Sequence, residues 1–392
     1  MPVNLTFFVL FYFFIYMGNA VYGTFIPLYF QNIGFTQSQI GTLLSIGPLV
    51  AILAQPVWGT VSDRARTKNS VLLLMIAGTC MSTLLYPLSN QFLYLTIMIC
   101  VFTFFQTSIF AVSDAVTLEA LDRRKNGNFS TIRLAGTVGF ALMSILFGFI
   151  AQKRVDLLFN VYAMILAVSF LLVLRFPKIA GHQSQGRKVR FRVLFRNRTL
   201  MLYMAISFVL HITLMYYYTF FPLYFKQLGG DSYWLGWSMV ISSLSEFPFL
   251  LFSKKIFQRV KVPYILLGAG VAASIRWLLF SAVDNPFWAL PVQAFHGLFF
   301  IVLSVTMANV INREVPDELK ASGQTFNALL SMGVARIIGS FAGGLASEAF
   351  GIRRVFFYNF VLALLCTALF AVIFWMQSVQ TKKSLEHQGI SG

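Results

Sequence analysis

Long apolar runs alternate with short polar breaks along the whole chain. The runs fall at Leu5–Phe30, Ile40–Ser62, Ser70–Leu88, Phe92–Leu121, Ile132–Gln152 and Leu157–Phe176, and then at Thr199–Leu228, Tyr233–Ser253, Val262–Val283, Pro286–Ile311, Ala321–Phe350 and Val355–Gln377. A bilayer crossing takes roughly 20 apolar residues, and these runs have about that length. Polar backbone cannot face lipid, so each crossing is expected to be a helix. One polar stretch, Arg175 to Arg198, is much longer than the other breaks and carries basic residues but no acidic one. It divides twelve spans into six and six. The expected organisation is a six-helix bundle over 1–175, a basic central loop over 176–198, a second bundle over 199–378 and a tail over 379–392.

Composition removes the soluble alternatives. The chain of 392 residues is 58% hydrophobic and 11% charged, with 43 Phe. No soluble interior hides that much apolar surface. The net charge of +17 could suggest nucleic acid, but its distribution argues for membrane orientation and against a nucleic-acid partner. With the N-terminus inside, about 22 of the basic residues fall in cytoplasmic loops and tail, the bias that orients spans. Outside lie Lys153, Arg154, Lys226, Arg353 and Arg354. Both termini are therefore expected in the cytoplasm of a cell carrying this multi-pass protein in its plasma membrane. The first run is too long for a signal-peptide core and reads as an uncleaved span. Cys80, Cys100 and Cys366 lie in apolar runs at spacings that suit packing, and no metal or cofactor is expected.

The two halves repeat. Phe25–Gly34 reads FIPLYFQNIG and Phe220–Gly229 reads FFPLYFKQLG, an offset of 195 residues that also relates Gly41 to Gly236. Repeated bundles with a binding site between them are a transporter pattern. The break after the second run reads GTVSDRARTKNS, with Gly59, Asp63 and Arg64 in order. Here the chain resembles the major facilitator superfamily, whose signature in this loop is a Gly, an Asp four residues later and then a basic residue. The resemblance implies a gating role for Gly59, Asp63 and Arg64, with Gly59 permitting close approach to a neighbouring helix. The corresponding break in the second half, Ser253–Lys261, keeps the positive charge but lacks the Gly-to-Asp spacing.

Charges within apolar runs are costly and need partners or water. They are Asp114, Glu119, Arg133, Glu246, Arg276, His296 and Arg336. Structural ion pairing is the plainer reading for Glu119 and Arg133, near run ends, and function for the deeper second-half group. A row of Gly333, Arg336, Ser340, Gly343 and Ser347 follows one helical face. Its glycines suit close packing, while Arg336 could meet an anionic substrate. His211, the triplet Tyr216–Tyr218, Asn19 and Tyr22 are further polar candidates, with Tyr217 and Asn19 taken as substrate contacts.

The stretch Arg133-Leu-Ala-Gly-Thr-Val-Gly-Phe140 is similar to the fifth helix of the lactose permease, nucleoside and phenylpropionate proton symporters. That resemblance implies a substrate-site pair between Arg133 and Asp114 or Glu119, with Phe140 on the same face. It also matches Glu246, Arg276 and His296 to the group's proton-coupling residues. Two positions depart from lactose permease: Phe299 stands where that permease carries a proton-bearing Glu, and Phe140 where it carries the Trp on which the galactoside ring stacks. The expectation is a twelve-helix, all-α secondary transporter acting as a monomer. It would take up a small polar or aromatic solute with protons, Glu246 exchanging its proton as Arg276 moves. A drug or metabolite exporter of the same fold is the alternative, and a membrane-embedded enzyme or sensor a more distant one. No phosphate-binding Gly loop is present to use ATP.

Overall fold

The computed structural model describes residues 5–122, 129–180, 197–316 and 319–387. Twelve helices long and apolar enough to cross a membrane follow one another. In the first half these are α1 (Leu5–Asn32), α2 (Gln37–Arg64), α3 (Lys68–Leu88), α4 (Phe92–Asp122), α5 (Thr131–Ala151) and α6 (Val155–Val173). In the second they are α7 (Arg198–Gln227), α8 (Ser232–Arg259), α9 (Val262–Ala282), α10 (Pro286–Glu314), α11 (Ser322–Phe350) and α12 (Ile352–Gln377). The central stretch expected at 176–198 is described only for 176–180 and 197–198, so Arg187 to Arg196 lie outside the described residues, as does Lys125.

The repeat found in the sequence is a repeat of structure. Gly34 and Gly229 end α1 and α7 with φ of 94° and 88°, a conformation that suits a residue without Cβ. The following amides close the same motif, Phe35 N to Phe30 O at 3.1 Å and Gly230 N to Phe225 O at 2.9 Å. Pro27 and Pro222 lie inside these two helices, which run on without interruption. Other starts are capped by side chains: Thr36 and Gln39 form a capping box on α2, and Asn197 and Asp231 cap α7 and α8.

Each six-helix bundle packs around its first helix, α1 against α5 and α6 and α7 against α11 and α12. The bundles meet through α2 with α11, α5 with α8, and α1 with α7. These meetings concentrate at the end bearing the α1–α2 and α7–α8 turns. A Cβ on Gly236 would strike the Ser144 carbonyl, and one on Gly41 the Ser340 carbonyl. Polar bonds cross there too: Lys226 Nζ donates to Asn32 Oδ1 at 2.7 Å, Gln152 Nε2 to Asp231 Oδ2 at 2.9 Å, and Ser38 N to Glu348 Oε2 at 2.9 Å. At the opposite end of α2 the expectation for Gly59 fails. A Cβ there would meet nothing within 4 Å among the described residues.

Among the described residues four helices are irregular at mid-depth. In α8 the helix breaks between Leu244 and Phe247, where Pro248 removes a backbone donor from the ladder. In α10 a turn at Gln293–Ala294 precedes a π-helical turn, Gly297–Ile301, and α11 contains a second one, Leu329–Val334. In α4 the break lies at Thr107–Ser108. Irregular backbone at this depth is tolerated where it is buried in protein or lines a cavity.

Candidate functional site

A cavity of about 710 Å³ lies between the bundles at the level of these breaks. From the first bundle Tyr16, Asn19, Arg133, Thr137 and Phe140 line it. From the second come Tyr217, Tyr218, Ser242, Glu246, His296 and Arg336. A second space of about 260 Å³ adjoins it, sharing Asn19, Gly23, Tyr218 and Arg336. Eight of the candidates singled out by sequence thus face one space: Asn19, Arg133, Phe140, Tyr217, Tyr218, Glu246, His296 and Arg336.

The broken helices build the polar corner. The break in α8 places Ser245 against α10, where its Oγ accepts from Gly297 N at 2.8 Å. Gly297 packs on the Ser245 carbonyl so closely that any Cβ would collide. This contact brings Glu246, the next residue, beside His296. Its Oε1 lies 3.6 Å from His296 Nε2, which also lies 3.2 Å from the Tyr218 hydroxyl. On the other side of the ring, Arg276 Nη1 lies 3.0 Å from His296 Nδ1. A guanidinium only donates, so Nδ1 must accept, and His296 is neutral with its proton on Nε2, facing Glu246.

Arg276 itself is fully buried and does not reach the cavity wall. Its second Nη donates to Gln293 Oε1 at 2.8 Å, and its guanidinium sits 4.1 Å from the centre of the Tyr217 ring. The expected exchange of partners between Glu246 and Arg276 has a different geometry here. Among the described residues no ion pair joins them, and the imidazole of His296 stands between.

Across the cavity, Arg133 Nη1 lies 3.9 Å from Asp114 Oδ2. Asp114 also accepts a very short hydrogen bond from the Tyr12 hydroxyl. Glu119 is not the partner of Arg133, because it pairs with Lys68 at 3.2 Å. Asp114 therefore reaches the site through Arg133, while Phe140 lines it directly. Asp63 and Arg64 lie at the end of α2, away from the cavity.

The row on α11 divides as its chemistry suggests. Ser340 and Ser347 bond to Thr219 and Tyr216 at 2.8 and 2.9 Å, and Gly343 packs on the Tyr216 ring, while Arg336 projects into the cavity. All three tyrosines of the α7 triplet point inward, Tyr216 to Ser347, Tyr217 to Gln293 and Tyr218 to His296. His211 only bonds within its own helix, to the Ser207 carbonyl at 2.7 Å. Sequence reasoning missed Tyr12, Tyr16 and Gln293. The signal was spacing: Tyr12, Tyr16 and Asn19 follow one face of α1, and Gln293 precedes His296 by three.

The family model described as the MFS_1 like family matches residues 5–358. The chain is 25% identical over 386 residues to the uncharacterized transporter YwbF of Bacillus subtilis (strain 168), covering 96% of this chain and 94% of that one. It is 24% identical over 357 residues to the maltose permease of Geobacillus stearothermophilus, covering 90% of each. A crystal structure of the nucleoside transporter NupG matches with a TM-score of 0.86 at 17% identity, over 95% of this chain and 99% of that chain. At that identity the structural likeness is one of fold. Twelve spans, two repeated bundles and a cavity between them accord with these matches: the chain belongs to the MFS_1 like family, and it is a multi-pass membrane transporter of the major facilitator type, not an enzyme.

Proposed function

We propose that the protein carries a small polar or aromatic solute into the cell together with protons, by alternating access and as a monomer, in the plasma membrane with both termini cytoplasmic. The observation that carries this reading is that Glu246 is the one carboxylate lining the cavity among the described residues, and that it rests on a neutral histidine. The bundles hold together at the end of the α1–α2 and α7–α8 turns, so the other end, taken here as cytoplasmic, is the route for water that receives the proton of Glu246. The Arg276, Gln293 and Tyr217 cluster holds His296 in the tautomer that presents N–H to Glu246, so Phe299 need not titrate.

Arg133 with Asp114, and the aromatic rings of Tyr16 and Phe140, shape the other wall as the substrate side, with Tyr217 facing them from the second bundle. Sugar transport by the maltose permease relative supports a polar solute. A thermal-shift screen of the purified protein against sugars, nucleosides and aromatic acids selects the solute. Its uptake into proteoliposomes is then followed under an inside-alkaline pH gradient. The reading requires accumulation above the outside concentration, external alkalinisation during uptake, and loss of both with a protonophore. Accumulation indifferent to the gradient, or efflux driven by proton entry, contradicts it.

A further inference from the structure

We propose that the solute carries a single negative charge, a carboxylate bound by Arg336, and that its binding is linked to protonation of Glu246. This deepens the proton-coupled reading above and rests on it. Arg336 follows the π turn of α11 and is exposed to the cavity between the bundles, where it borders both adjoining spaces. Among the described residues no carboxylate lies within ion-pair distance of it and it makes no hydrogen bond. The other two guanidiniums of this region are occupied: Arg133 pairs with Asp114, and Arg276 is locked between His296, Gln293 and Tyr217 behind the wall.

Around the cavity the guanidiniums of Arg133, Arg276 and Arg336 face the carboxylates of Asp114 and Glu246, and the charge of Arg276 is held by the Tyr217 ring, Gln293 and His296 behind the wall. With Glu246 ionised, its charge offsets that of Arg336 across the space, as Asp114 offsets Arg133. Once Glu246 takes a proton, Arg336 loses that counter-charge in a cavity walled by the two bundles, which is costly. A monoanion replaces the charge that Glu246 gave up, so proton and anion favour each other's binding, and by equal factors. The groups facing Glu246 do not disturb this account. They are neutral His296 on α10, the hydroxyls of Tyr217 and Tyr218 on α7, Arg276 on α9 behind the imidazole, and Arg133 and Arg336 across the cavity. A guanidinium grips a carboxylate through two parallel N–H donors, a geometry that an amide or hydroxyl cannot return. A phosphate monoester offers the same oxygens but more than one charge, more than protonation of Glu246 removes.

Matched probes test this with the full-length purified protein. They are glucuronate with glucose, 4-hydroxyphenylacetate with 4-hydroxyphenylacetamide, and uridine 5′-monophosphate with uridine, titrated by tryptophan fluorescence at pH 6 and pH 8. At least one carboxylate should bind at least tenfold more tightly than its neutral partner, by analogy with sites that lose a polar group's match. Its affinity should fall by up to about tenfold per pH unit, the limit for one linked proton. Arg336→Gln should erase the preference, Arg336→Lys keep part of it, and Glu246→Gln keep carboxylate binding while flattening its pH dependence. Binding by neutral members alone, by the phosphate ester alone, or by none overturns the assignment. So does a carboxylate preference that survives Arg336→Gln, or a pH dependence that survives Glu246→Gln. A neutral solute that accumulates with protons overturns the anion and leaves the proton-coupled reading standing.

Discussion

Gln293 makes the case for reading single residues by what they leave unpaired. Its Oε1 accepts from both Tyr217 and Arg276, and losing that acceptor strands two buried donors. Gln293→Leu should cost about 1–3 kcal/mol of stability, the penalty for an unsatisfied buried polar group. Thermal unfolding in detergent measures it, and Gln293→Glu, which returns an acceptor to Arg276, should recover much of the loss. The charged residues of the site were legible because a charge in an apolar run is conspicuous, and Arg133, Glu246, His296 and Arg336 do line one cavity. Gln293 and Tyr16 were not, because uncharged polar side chains are ordinary in such helices. That Arg276 sits behind His296 depends on side-chain packing between helices, which no spacing encodes.

Among the elements, the broken helix α8 and the π turn of α10 work as one joint. Gly297 fits against the Ser245 carbonyl because it has no Cβ, and that fit sets Glu246 beside His296. Gly297→Ala should force the helices apart and lower uptake severalfold, whereas Gly268→Ala, with open space around it, should leave uptake unchanged. Initial-rate uptake by the two variants in one preparation compares them, and equal rates would deny the joint its role. Pro248 was visible in the sequence, but a helix break and a tolerated kink look alike until the partner helix is known. The α2–α3 turn belongs to this scale too. Asp63 lies away from the cavity, so Asp63→Asn should slow turnover several-fold while leaving solute affinity nearly intact. An altered affinity at unchanged turnover would count against a gating role.

For the molecule as a whole, the twelve spans were legible from run length alone, because lipid demands about the same length of each crossing. The end at which the bundles close was not. It depends on Gly236 meeting Ser144 and on Lys226 meeting Asn32, contacts between distant segments. The proposed orientation predicts that single cysteines at Arg64, Lys255 and Lys382 resist an impermeant maleimide in intact cells, while one at Asn90 reacts. Labelling of the first three from outside would invert the topology.

The proposed coupling role of Glu246 is tested most directly by one pair of assays on Glu246→Gln. A glutamine keeps the size and most hydrogen bonding of the side chain but cannot release a proton. In proteoliposomes, uptake driven by an imposed pH gradient should fall to background, because net transport needs the proton to leave. Exchange of labelled for unlabelled solute across the membrane should continue, because that cycle needs no net proton release. If Glu246→Gln still concentrates the solute under a pH difference, the proton travels by another group and the account is contradicted.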